Sequence, residues 1–163
     1  MNQDDRRSQV CGMRFLPIAD ASVGNFPGAD FIRVRGGWEV IGISSGEFKE
    51  SCDTSGGVVK QELKAVVTDT GKANMGRIQE LVRQEGLVLL DLSNGDCKVV
   101  GTDQFPVSFS TEYAGSPLKL TLSFKRDSAE FAKKFKVLLS GWRCCTFVSF
   151  ISRYKYNGVF KFI

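Results

Sequence analysis

The chain reads as a β-rich α+β protein. The expected architecture is an antiparallel sandwich or barrel-like sheet with one central helix, a long projecting hairpin and a second helix near the C-terminus. Three observations lead there. Short segments alternate apolar and polar residues, as in "PLKLTLSFKRD" from Pro117 to Asp127, the mark of half-buried strands. Gly-Gly and Asn-Gly steps separate several of these segments, which is turn chemistry. Near-helical spacing of apolar residues is confined to two stretches, one around Met75–Val82 and one around Phe131–Leu139. At 163 residues the chain suits one domain with a full core. The expected division is an irregular arm over 1–29, a single β-rich domain over 30–140, and a basic aromatic hairpin or extension over 141–163.

Taken in order, residues 1–29 show no sustained period and contain Pro17 and Pro27, so at most a short strand is expected near "MRFLPIA". The segment "FIRVRGGWEVIGI", Phe31 to Ile43, reads as two short strands joined at Gly36-Gly37. A third follows in "GEFKESC", then the polar turn "DTSGG". In "VVKQELKAVVTD", Val59, Gln61, Leu63, Ala65 and Val67 share one side, with Lys60, Glu62 and Lys64 opposite. The two strands flanking "DTSGG" thus make a long hairpin with a charged side, expected to project. Asp69 or Thr70 caps the next helix, whose buried positions are Met75, Ile78, Leu81 and Val82. Gly86 is expected as its left-handed stop.

The stretch "LVLLDLSNGDCKVVGT", Leu87 to Thr102, resembles an acidic metal loop at first sight. An EF-hand loop needs oxygen ligands at positions 1, 3 and 5, glycine at 6 and glutamate at 12. Counting from Asp91, Gly95, Asp96 and Thr102 fall at the fifth, sixth and twelfth places, and the pattern fails at all three. A hairpin with a two-residue Asn94-Gly95 turn fits better. It pairs Leu92 with Cys97, Asp91 with Lys98 and Leu90 with Val99, and the opposite charges contribute roughly 0.2–1 kcal/mol. Strands then follow in "FPVSFSTEY" and in "PLKLTLSFKRD", joined by a turn at Ala114-Gly115-Ser116. The second helix is expected from Asp127, with Glu130 as in a capping box, Phe131, Phe135, Leu138 and Leu139 inward, Lys133, Lys134 and Lys136 solvated, and Gly141 at its end.

Composition narrows the function. There is no histidine, which removes the commonest general base and metal ligand. No Walker sequence, G-x-S-x-G elbow or H-E-x-x-H occurs. In "TDTGKANMG" the glycine that should precede Gly71-Lys72 by five places is missing, so it reads as a helix start. Neither an enzyme nor a cofactor is expected. Five scattered cysteines without C-x-x-C spacing argue for reduced thiols in an intracellular protein rather than a zinc or redox site. The first residues, "MNQDDRRSQVCG", are charged and unlike a secretory signal. No apolar run approaches the roughly 18 residues needed to cross a bilayer, so no membrane partner is expected.

Charge is concentrated at one end. Residues 136–163 carry five basic and no acidic residues, whereas residues 1–135 carry 17 basic and 18 acidic ones. The body therefore has no electrostatic footprint for nucleic acid. The tail interleaves its basic residues with Tyr154, Tyr156, Phe160 and Phe162 around an Asn157-Gly158 turn. Its alternation favours an edge hairpin buried on the body or on a neighbour over a nucleic-acid strip.

Between residues 31 and 125 the segments "WEVIGISSGEFKES", "GLVLLDLSNGDCKVVGTDQFP" and "SPLKLTLSFKRD" resemble small structural proteins of tailed-phage virions, of the tail-tube and tail-associated kind. In that group a helix precedes a strand–Asp-x-x-Asn-Gly–strand unit, and a later strand closes the sheet. The resemblance implies a non-enzymatic, self-assembling subunit that forms a ring or tube and contacts other virion proteins. Its location would be the virion, or the cytoplasm of a bacterial host before assembly. The expected interface is the hairpin with Glu47, Lys49, Glu50, Ser51, Asp53, Lys60, Glu62 and Lys64, together with the tail aromatics Tyr154, Tyr156, Phe160 and Phe162. The alternatives are a monomeric β-barrel or sandwich binding a small ligand, and nucleic-acid binding through 141–163.

The scaffold reading of Asp91 to Asp96 is testable directly. Asp91→Ala and Asp96→Ala are expected to leave calcium binding unchanged, since no site is expected there. Calorimetry showing micromolar calcium binding that disappears in Asp91→Ala would refute it.

Overall fold

A computed structural model describes residues 6–52, 56–68 and 71–136. Eleven strands and one α-helix occupy them: β1 (Arg6–Pro17), β2 (Ser22–Asn25), β3 (Phe31–Arg35), β4 (Glu39–Ile41), β5 (Ile43–Cys52), β6 (Val59–Val67), α1 (Lys72–Val82), β7 (Gly86–Leu92), β8 (Cys97–Val100), β9 (Ser110–Ala114), β10 (Lys119–Ser128) and β11 (Lys133–Phe135). The sheet is open and mixed, ordered β2-β3-β11-β8-β7-β1-β5-β6-β10-β9, with β4 pairing β1 off this path. Among the described pairings only β3 with β11 is parallel.

The short strand expected near "MRFLPIA" is the end of a longer one, β1, which replaces most of the expected irregular arm and joins the two halves of the sheet. The first residues of β1, Arg6–Gln9, pair with Glu50–Glu47 of β5, while Val10–Pro17 pair with Leu92–Gly86 of β7. The register shifts between Val10 and Gly12, leaving Cys11 exposed. That bulge changes which face each later residue points to. Val10, Met13 and Phe15 are all buried, but their spacing breaks a period of two, so the strand has no clean alternation to read.

β7 is buried at all seven positions because apolar material covers both its faces. Val88, Leu90 and Leu92 belong to the larger core with Phe15, Phe48, Leu63, Leu122 and the helix residues Ile78, Leu81 and Val82. Leu87 and Leu89 belong to a second cluster with Leu16, Ile32, Val34 and Val99. The expected apolar positions of α1 are thus the ones it buries, with Met75 packed against the core margin. Its N-cap is Gly71, without a side-chain cap; Asp69 and Thr70 lie outside the described residues. Gly86 is not the helix stop. The helix ends at Val82, and Gly86 opens β7, where a Cβ would lie 2.4 Å from the Leu16 carbonyl oxygen and 2.5 Å from the Phe15 ring. Glycine is required there by close approach.

The β7–β8 hairpin forms, but one residue away from the expected register. Asp91 pairs with Cys97, Leu90 with Lys98 and Leu89 with Val99. The Gly95 N–H donates to the Leu92 carbonyl and the Leu92 N–H donates to the Asp96 carbonyl, both at 2.9 Å, with Gly95 at φ +86°. This is a three-residue loop ending in a left-handed glycine bulge rather than a two-residue turn. A slip of one residue sends each side chain to the other face. Asp91 therefore does not meet Lys98. It lies 3.3 Å from Arg14 on β1, while burial raises its carboxyl above the ordinary value against the pull of Arg14.

The hairpin of β5 and β6 does not project as a free arm. β5 is flanked by β1 over Glu47–Glu50, and β6 is paired with β10 from Val59 to Val66. Its stems have their backbone partners within the sheet. The "FPVSFSTEY" strand is also shorter than expected: Val107 makes an isolated bridge to Gly86, and β9 begins at Ser110.

The expected second helix is replaced by strand over its first turns. β10 continues through Ser128, with Lys125, Arg126, Asp127 and Ser128 opposite Glu62, Gln61, Lys60 and Val59. The Ser128 hydroxyl then closes a local turn, accepting from the Glu130 N–H at 3.3 Å. β11 enters between β3 and β8, so Lys133 is buried instead of solvated. A ladder along β6 outweighs a local capping signal because it satisfies more backbone groups. Leu138, Leu139 and Gly141 lie outside the described residues. Cys11 and Cys52 are free thiols, while Cys144 and Cys145 lie outside the described residues.

Two glycine substitutions separate close approach from helix propensity. Gly86→Ala is expected to cost about 2–3 kcal/mol, as overpacking does. Gly76→Ala, in α1 with nothing near its added methyl, is expected to stabilise by up to about 1 kcal/mol. Urea unfolding of both variants checks the opposite signs.

Candidate functional site

Strand alternation separates the charged residues of β5 and β6 into two sets. Glu47, Lys49, Ser51, Lys60, Glu62 and Lys64 occupy the outer face, in rows that continue onto β10. Glu47 stands opposite Lys64, Lys49 opposite Glu62, and Ser51 opposite Lys60. Lys125 and Asp127 extend the second and third rows beside Glu62 and Lys60. A groove of about 510 Å³ runs over this checkerboard. Its Lys125–Glu62 pair, 3.1 Å apart, is exposed on both sides and contributes at most about 1 kcal/mol. Six of the eight hairpin residues expected at an interface therefore share one solvated surface. Asp53, Tyr154, Tyr156, Phe160 and Phe162 lie outside the described residues.

Glu50 is the exception and a correction. It is 1% exposed and points inward, in phase with Phe48 on the same strand. Its carboxylate is held from three directions. Lys98 Nζ lies 3.1 Å from Oε2, while Gln61 Nε2 and the Ala132 N–H donate to Oε1 at 3.0 and 2.7 Å. Lys98 reaches it because the three-residue loop turns Lys98 to this face. Gln61 faces the same way, and its Oε1 is buried without a hydrogen-bond donor. Next across the ladder from Gln61 is Arg126, so Glu50, Gln61 and Arg126 form a polar row at one end of the apolar core.

A second buried cation closes that end. Lys133 Nζ donates to Asn25 Oδ1 at 2.9 Å and to the Phe26 carbonyl at 2.7 Å, and pairs with Glu130 Oε2 at 2.8 Å. The other Glu130 oxygen accepts the Gly28 N–H at 2.7 Å. The bond from Lys133, followed by that from Gly28, holds the Glu130 carboxyl below its ordinary value. This lock ties the β10–β11 connection to the β2–β3 turn.

The sheet ends in β9. Among the described residues it pairs with β10 alone, and all five of its residues are exposed. Tyr113 accepts a hydrogen bond from Gln79 of α1. β2, at the opposite end, pairs among the described residues with β3 alone.

Lys98, Arg126 and Lys133 were absent from the sequence-derived interface. A signal existed for the polar row, since Gln61 alternates with Val59, Leu63 and Ala65 and so sits on a core face. Nothing comparable marks Lys133, whose burial depends on strand pairing. Among the described residues no three potential metal ligands come together, and no helix is long and apolar enough to cross a membrane. Comparison with protein-family models, curated proteins and solved structures finds no match.

The buried pair is expected to behave as a coupled unit. Lys98→Met should cost about 3–5 kcal/mol by leaving Glu50 without its counter-charge. Adding Glu50→Gln should restore part of that loss, since a neutral amide needs no cation. A double-mutant cycle by chemical denaturation measures the coupling, and additive losses would refute it.

Proposed function

We infer that the chain is a non-enzymatic, self-assembling structural subunit of the tailed-phage virion kind, joined to its neighbours through sheet edges. The observation that carries this reading is β9, an edge strand exposed at every residue. Edge strands of proteins that stay apart are commonly protected by lysine, proline or a bulge. The sequence of β9, Ser-Thr-Glu-Tyr-Ala, has neither lysine nor proline, and Glu112 is its single charge. Its unpaired backbone side suits strand addition by a second copy.

The free edges at the two ends of the sheet belong to different strands. A contact of β9 with β2 of the next copy is head-to-tail, which closes into a ring or continues as a tube. The charged face of Lys49, Lys60, Glu62 and Lys64 keeps the free subunit soluble and orients arriving copies. Because the β5–β6 stems are already paired, their contribution is through side chains and the tip rather than through backbone pairing.

The segments that resemble virion proteins fall on β4 and β5, on β7 and β8, and on β10. α1 precedes the β7–β8 unit, in the order that the resemblance calls for. Other virion proteins are the further partners under this reading, and the virion or the host cytoplasm is its location. A role for 141–163 in nucleic-acid binding concerns residues outside those described.

Size exclusion with light scattering tests the proposal. Wild type is expected to form rings or longer assemblies as concentration rises. Thr111→Lys combined with Ala114→Lys, both on the exposed edge, should shift the population to monomer while leaving the melting temperature within a few degrees, as surface changes do. A strict monomer at every concentration, or unchanged assemblies in the folded double variant, would remove β9 from the mechanism.

A further inference from the structure

The polar row at the end of the core opens into a cleft of about 330 Å³ between the Gly101–Phe105 loop and the β10–β11 connection. That size is at the lower end for small-molecule sites. Arg126 lines it together with Gln61, Phe105, Ile32 and Val99. Three features of this arrangement point to a ligand.

The first is an uncompensated cation. Among the described residues Arg126 makes one hydrogen bond, to the Phe105 carbonyl at 3.0 Å, and no carboxylate pairs with it. Glu50, two strands away in the same row, is already held by Lys98, Gln61 and Ala132. Asp127, next in the chain, also borders the cleft, but its place in the ladder is opposite Lys60 and no ion pair joins it to Arg126. Partial burial of the guanidinium pulls Arg126 below its ordinary value. Its planar fork has five N–H donors, most of them still available to a two-oxygen acceptor.

The second feature is the charge count. Lys133 also lines the cleft, but its ammonium is occupied by Glu130, Asn25 and Phe26. With Lys133 and Glu130 paired to each other, Arg126 is the cation left at the cleft and Asp127 the one other charge at its border, so a dianion such as phosphate finds no second cationic partner. The third is the apolar wall. Phe105 is 67% exposed and supplies an aromatic face, and the cleft reaches inward as far as the buried Ile32 and Val99.

We propose that this cleft binds a small monocarboxylate with an apolar body, the carboxylate bidentate on Arg126 and the body between Phe105 and the buried Ile32 and Val99. The site is independent of assembly through β9, so it stands or falls separately from that reading.

Titration of the full chain with benzoate, followed by NMR shifts, tests it. Benzamide serves as the neutral isostere and inorganic phosphate as a bare anion. Benzoate is expected to saturate with a dissociation constant on the order of 1 mM, reasonable for so small a ligand. Benzamide and phosphate should bind about tenfold more weakly or not at all, the loss of a charge-assisted pair. Arg126→Gln should lose the preference for benzoate. Phe105→Ala should weaken both aromatic probes while keeping that preference. Equal affinities of wild type for benzoate and benzamide would overturn the proposal even if Arg126→Gln failed to fold. So would an absence of saturable benzoate binding, or benzoate binding unchanged in a folded Arg126→Gln.

Discussion

Burial of the Glu50 carboxylate is the constraint around which one end of the molecule is organised. A carboxylate removed from water must be matched on each oxygen, because an isolated buried charge costs several kcal/mol. Here the partners come from three separate parts of the chain: Lys98 from β8, Gln61 from β6, and the Ala132 N–H from the connection before β11. Each is in place only if its own segment is in register. The group therefore links the halves of the sheet more specifically than the surrounding leucines and valines can, since apolar contacts tolerate small shifts and hydrogen bonds do not.

The register that satisfies Glu50 originates in the loop between β7 and β8. With a two-residue turn Lys98 would face Asp91, and Glu50 would lack its cation. With the left-handed glycine taking a third loop place, Lys98 faces the core end and Asp91 passes to Arg14. Two ion pairs are thereby built between strands distant in sequence instead of one across a hairpin. β1 supports the same arrangement from the other side. Its bulge lets one strand pair first with β5 and then with β7, and Gly86 lets β7 approach Leu16 and Phe15 closely enough to complete that ladder.

Function, in this reading, is placed at the sheet's margins. The middle strands are paired on both sides and the apolar faces are covered, so they have little left to offer a partner. β9 retains an open backbone edge, and the outer face of β5, β6 and β10 retains a checkerboard of charge. At the end of the polar row, Arg126 retains most of its donors. Because Glu50 is satisfied by Lys98, Gln61 and Ala132, Arg126 at the far end of the row has no carboxylate partner among the described residues.

Local patterns in the sequence determined a great deal. Alternation located β3, β6 and most of β10, and the 3.6 spacing of Met75, Ile78, Leu81 and Val82 located α1. The turn at Asn94-Gly95 was legible, as was the absence of metal-loop spacing, because both depend on residues only a few places apart. The outer set of Lys60, Glu62 and Lys64 followed from the same alternation, and Glu50 could have been separated from it by its phase with Phe48. Tertiary structure alone decided that β1 extends back to Arg6 beyond the short strand expected near "MRFLPIA", since a bulge erases its period and only pairing with β5 and β7 reveals it. It decided that residues 125–128 extend a ladder with β6 despite a capping signal for helix. It also decided the fate of Lys98, Arg126 and Lys133, for the burial of a charged side chain depends on what the rest of the chain brings to meet it, and no neighbour in sequence records that.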